Sequence, residues 1–171
     1  MKTRISKRAG VLGICMMVAV VAMAMAPAQS EAQVIATGVN PNPVLFADAL
    51  VHFLPINFAA TAINFTTTAP NQRVAVFFNA ECAVKGTDRN SQVNVNIIID
   101  NVIVPPSVGD DVFCVDLGDN ILHNWTRPSM NVWRVVPAAG VHVLRVTAQM
   151  FNFTPGVDQY RIDDSSVIVT R

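Results

Sequence analysis

The chain is poor in the residue types that most often carry chemistry. Three histidines and two glutamates are spread over 171 residues, and only 14% of positions are charged. No serine sits in a Gly-x-Ser-x-Gly elbow, no His-Glu-x-x-His stretch occurs, and no loop has EF-hand spacing. These gaps remove the sequence signatures of an elbow-type serine hydrolase, a zinc protease and an EF-hand sensor. Basic runs are missing outside the first ten residues, so neither nucleic acid nor an anionic membrane surface has a footprint. Internal repeats, low-complexity tracts and sustained helical periodicity are also absent.

What is present begins with a leader. Met1 to Gly10 carries Lys2, Arg4, Lys7 and Arg8 without an acid, and Val11 to Met25 is apolar and uncharged. Ala26-Pro27-Ala28 then supplies the small residues of a cleavage site. This is the pattern of a secretory signal peptide over residues 1–28, cut after Ala28 or at the nearby Ala32. The apolar run is shorter than the roughly 20 residues that cross a bilayer, so a membrane anchor is not expected. Cys15 lies too early in that run, after the bulky Ile14, to be a lipoprotein cysteine. With four cations in the leader, the exported chain has a net charge of −4. It is expected to be secreted or periplasmic.

Export leaves Cys82 and Cys114, an even pair in an oxidising compartment, and a disulfide is the default expectation. Closing a loop of about 30 residues stabilises a fold by roughly 3–4 kcal/mol in the chain-entropy model.

From residue 44 onward the apolar pattern has a period of two. Val74, Val76, Phe78, Ala80, Cys82 and Val84 share one face of a strand; Val93, Val95, Ile97 and Ile99 share a face of the next. Asp100-Asn101 suits a two-residue hairpin turn, with Val102 to Val104 pairing back. Leu144, Val146, Ala148 and Met150 are expected to face inward from a later strand. Residues 109–119 read as a short strand in an acidic loop, and 160–170 as a last strand or strand pair. Val44 to His52 suits a short helix or a strand, and Phe53 to Thr68 alternates throughout. Residues 29–43, interrupted by Pro41 and Pro43, read as a flexible arm. The sum is one all-β domain over 44–171, a single antiparallel β-sandwich with one disulfide.

Candidate sites are few. His52, Cys114, His123 and Met130 follow the ligand order of a blue-copper protein, but the spacing from Cys114 to His123 is too long and Cys82 competes for the thiol. Asp110, Asp111, Asp116, Asp119, Asp163 and Asp164 are oxygen donors of the type calcium takes. Glu81 or an aspartate with His142 is the one acid–base pair available to a hydrolase. Trp125, in the polar loop HNWTRP, and Tyr160 are the aromatics placed to stack on a sugar ring; Trp133, among valines, reads as core. No cofactor or metal is implied.

The order Phe78, Glu81-Cys82, VNIIIDN (95–101), Cys114, PAAGVHVLRV (137–146) and YRIDDSSVIV (160–169) resembles small exported bacterial proteins of unassigned function. The resemblance covers residues 73–171 and departs at Asp100-Asn101, where Asp-Gly is usual. It implies a jelly-roll-like sandwich and brings no site residues. The expected function is therefore a non-enzymatic binding module, with polysaccharide the leading ligand. The alternatives are a surface-assembly subunit that lends its N-terminal arm to a neighbouring protein, and a hydrolase.

Overall fold

Residues 31–86, 89–107, 109–118, 120–122 and 124–171 are described by a computed structural model. The leader, Asp119 and His123 lie outside these residues. Eleven strands follow in order: β1 (Val34–Asn40), β2 (Val44–Phe46), β3 (His52–Phe53), β4 (Ala62–Thr67), β5 (Gln72–Lys85), β6 (Gln92–Ile99), β7 (Val102–Val104), β8 (Val112–Val115), β9 (Ser129–Val136), β10 (Gly140–Phe151) and β11 (Gln159–Thr170). Among the described residues no helix forms, and none is long and apolar enough to cross a membrane.

Every pairing is antiparallel. One sheet runs β1-β11-β5-β9, with β2 beside the start of β11; the other runs β4-β10-β6, extended by β3, β7 and β8. In chain order, β1 pairs with β11, β4 with β10, β5 with β9, and β6 with β7 and β8. This nesting of first with last, split over two sheets, is the jelly roll.

Period-2 alternation decides what lies between the sheets. The inward rows of β5, β6 and β10 are the ones expected, from Val74 to Val84, Val93 to Ile99 and Leu144 to Met150, all buried. Asp100 and Asn101 both adopt positive φ, 51° and 64°, as a type I′ turn requires, and close the β6–β7 hairpin. Cys82 of β5 bonds to Cys114 of β8 with Cα atoms 6.2 Å apart, joining the two sheets.

Three expectations are corrected and one open reading is decided. The arm is not free, because Val34–Asn40 forms β1 and pairs with residues 165–170 of β11. A Cβ at Gly38 would lie 2.3 Å from the Ile56 carbonyl oxygen, so only glycine lets the loop before β4 cross β1 so closely. Of the two readings of Val44 to His52, the strand is the one found: it supplies β2 and the start of β3. The Phe53–Thr68 alternation breaks at a turn in which Asn57 and Ala60 exchange backbone hydrogen bonds and Phe58 takes a φ of 50°. Only Ile63, Phe65 and Thr67 of β4 face inward, with Leu54 and Ile56 buried ahead of the turn. Trp133 is not core: it is 49% exposed, because Met130, Val132 and Val136 set the inward parity of β9. Arg134 shares that parity and hydrogen-bonds the Ile99 carbonyl of the other sheet, an inward charge of the kind that guards an edge strand.

Candidate ligand-binding face

β5 is the middle of the site. Its inward residues being fixed, Arg73, Ala75, Phe77, Asn79, Glu81, Ala83 and Lys85 turn to the outside of the sheet. On one flank lies β9, continued backward by residues 125–128. Thr126 and Cys82 exchange backbone hydrogen bonds of 2.8 and 2.9 Å, which sets Trp125 level with Ala83. On the other flank lies β11, with Arg161 opposite Ala83, Ile168 opposite Phe77 and Thr170 opposite Ala75.

Two rows of the same form result. Trp125, Ala83 and Arg161 make one, and Trp133, Ala75 and Thr170 the other. The alanines leave room for their neighbours to lean inward. The Arg161 guanidinium lies 5.1 Å from the Trp125 ring centroid, and Arg73 lies 4.2 Å from that of Trp133. Cation–π contact favours this placement of each indole. Trp125 and Trp133 are eight residues apart along one edge, roughly 26 Å at about 3.3 Å per residue.

Between the rows, Phe77 and Ile168 are exposed apolar side chains beside Asn131 and Asn79. Glu81 pairs with Arg127 at 2.5 Å and Asp163 with Arg161 at 3.4 Å. A shallow depression of about 350 Å³ opens there, lined by Asn79, Glu81, Arg127, Pro128 and Asp164. Asp164 reaches it because β11 bulges between Asp163 and Ser166, with Asp164 at a φ of 44°.

Tyr160 is the residue that sequence reasoning misplaced. It neighbours Arg161 and so points the other way, into the core, with none of its surface exposed. Phe46 packs on it at 4.9 Å and stacks in turn on His52, whose Nε2 lies 2.7 Å from Asp48. Burial, reinforced by the nearby Asp48 charge, pushes the Tyr160 phenol far above its usual pKa. No ligand stacks on it from solvent.

His142 does meet an aspartate, but Asp100 rather than one near Glu81. Its Nδ1 lies 2.7 Å from Asp100 Oδ2, and its Nε2 3.0 Å from Thr67 Oγ1 and 3.2 Å from the Ala138 carbonyl. The order acid, imidazole, hydroxyl is that of a hydrolase triad. Thr67 is only 2% exposed and His142 6%, however, and the Thr67 hydroxyl donates to Ala138 O. These contacts tie the Asp100 hairpin to the turn before β10. Partial burial opposes ionisation of Asp100, yet the Val143 N–H, His142 and Arg134 outweigh it and hold the carboxyl below its ordinary value. Glu81 is on the outside of the opposite sheet.

The metal candidates are dispersed. Cys114 is in the disulfide, and Met130 is buried in the core. Asp110 caps the Val112 amide, while Asp116 is buried and accepts from the Gly118 and Arg89 amides. Among the described residues, no three of His, Cys, Asp and Glu are grouped to hold an ion.

No protein-family model matches the chain, and no curated protein matches it. Among solved structures it is similar to part of the infectious bursal disease virus VP2 subviral particle (TM-score 0.47, 11% identity, 82% of this chain and 33% of that one). It is also similar to part of the insecticidal delta-endotoxin Cry8Ea1 of Bacillus thuringiensis (0.44, 11%, 76% and 20%). A family 35 carbohydrate binding module from Clostridium thermocellum gives a TM-score of 0.33 at 12% identity, over 81% of this chain and 98% of that one. The chain thus spans about a third of the VP2 chain and a fifth of the endotoxin. Its jelly-roll topology stands on its own strand order.

Proposed function

We propose that this chain is an exported, non-enzymatic binding module that takes carbohydrate on the outer face of the β5 sheet. The carrying observation is that both tryptophans of the chain stand on that one open face, with amide and carboxylate side chains between them. A sugar ring offers an apolar C–H face for an indole and hydroxyls for amides and acids. An open sheet face supplies both at once. The leader sequence and the disulfide support an extracellular or periplasmic site of action. The assembly reading loses its motive, since β1 is already paired within its own sheet.

Affinity gel electrophoresis of the mature chain against soluble xylan, mannan, glucan and pectin tests the reading. Wild type is expected to be retarded by at least one of them, and the Trp125→Ala/Trp133→Ala double variant to run as in a blank gel. Equal retardation of the two proteins would contradict it.

A further inference from the structure

The face is organised along its length as well as by its residue types, and this defines the ligand more narrowly. Building on the carbohydrate reading above, we infer that the ligand is an extended, uncharged glycan chain that lies along β5 and engages Trp125 and Trp133 together.

Length comes from the register. The rows at Ala83 and Ala75 each hold a tryptophan stacked by an arginine and lie eight residues apart, about 26 Å along the strand, which one or two sugar rings cannot span. The ground between them is open sheet, where Phe77, Asn79, Asn131 and Ile168 are exposed and the amides can hydrogen-bond hydroxyls. Charge comes from the pairing. Glu81 is matched by Arg127 and Asp163 by Arg161, while Arg73 is engaged with the Trp133 ring. The acids and cations at the centre neutralise one another, so an anionic chain gains little there that it does not lose to Glu81, Asp163 and Asp164. Their free lone pairs and N–H groups remain open to neutral hydroxyls.

Two linked subsites behave as a bivalent system, in which the second contact is made at high effective concentration. Calorimetry of the mature chain with xylo-, manno- and cello-oligosaccharides, from disaccharide to hexasaccharide, reads this out. The hexasaccharide of the recognised series is expected to bind at least about tenfold tighter than its disaccharide. Trp125→Ala and Trp133→Ala should each remove most of that gain, while the Phe variants retain part of it. Affinity should change less than about twofold between low and high salt, since no net charge is neutralised.

A disaccharide that binds as tightly as the hexasaccharide, or a gain that only one tryptophan controls, would overturn the two-subsite inference and leave the carbohydrate reading standing. A steep loss of affinity with salt, or preference for polygalacturonate in the same assay, would overturn the uncharged class. Failure of every oligosaccharide and polysaccharide to bind would overturn both readings. The circular-dichroism melt of each variant controls for folding; both indoles lie outside the core, so it should match wild type.

Discussion

The buried pair Thr67 and His142, bound to Asp100 at the surface, and the outer face carrying Trp125 and Trp133 use polar groups in opposite ways. At the closed end both imidazole nitrogens and both Asp100 oxygens meet protein partners within 3.2 Å, and two turns are fastened as a result. On the open face the indoles carry stacked guanidiniums, and two salt bridges stand beside unfilled space. The difference separates architecture from recognition. Groups whose hydrogen bonds are all internal stabilise the fold and have little left for a ligand, whereas groups held in place but half-satisfied are ready for one.

The comparison breaks most sharply at His142. Replacing it with alanine leaves Asp100 and Thr67 short of a buried partner, and chemical denaturation should show a loss of about 2–3 kcal/mol. Polysaccharide retardation by the folded variant should be unchanged. Acid titration probes the same end. The Asp100 carboxyl is held below its ordinary value of about 3.9 when folded, so its contribution is present in full above that value and fades as pH falls through the folded one. In a series of thermal melts from neutral pH downward, Asp100→Asn should start from a lower midpoint and close the gap to wild type as pH falls below about 4. Trp133→Ala, at the open face, should reverse the pattern, with stability within about 0.5 kcal/mol of wild type and glycan retention reduced but not abolished. The smallest effect is expected for Tyr160→Phe. The Tyr160 hydroxyl is buried without a hydrogen-bond partner among the described residues, so its removal should leave the melting midpoint unchanged or raise it slightly, with binding intact.

Much of the fold was legible because strand parity is a strong signal where every other residue is apolar. The rows from Val74, Val93 and Leu144 read directly onto the core, and so did the Asp100-Asn101 hairpin and the cysteine pair. Parity misled where both faces carry apolar residues. In SMNVWRVV the outward Trp133 and Val135 look like core, and the inward Arg134 looks like surface. Only the pairing with β5 resolves that order, and pairing is not written in a single strand. Tyr160 was readable in principle, since it shares parity with Ile162 and its neighbour is Arg161. The arm failed for another reason. Pro41 and Pro43 forbid a helix, but the strand before them is specified by the free edge of β11, more than a hundred residues later in the chain. The candidate face was half visible: Trp125 was identified from its polar loop, whereas its relation to Trp133 depends on the register of three strands.

The most direct test of the central claim uses the fact that the chain has two tryptophans and that both lie on the proposed face. Intrinsic fluorescence should be followed while the polysaccharide that retards the protein is titrated in. The account predicts a saturable blue shift as sugar displaces water from the indoles, with each single Trp→Ala variant keeping part of the change. Retardation of the protein in the gel with no change in emission would place the ligand elsewhere and contradict it.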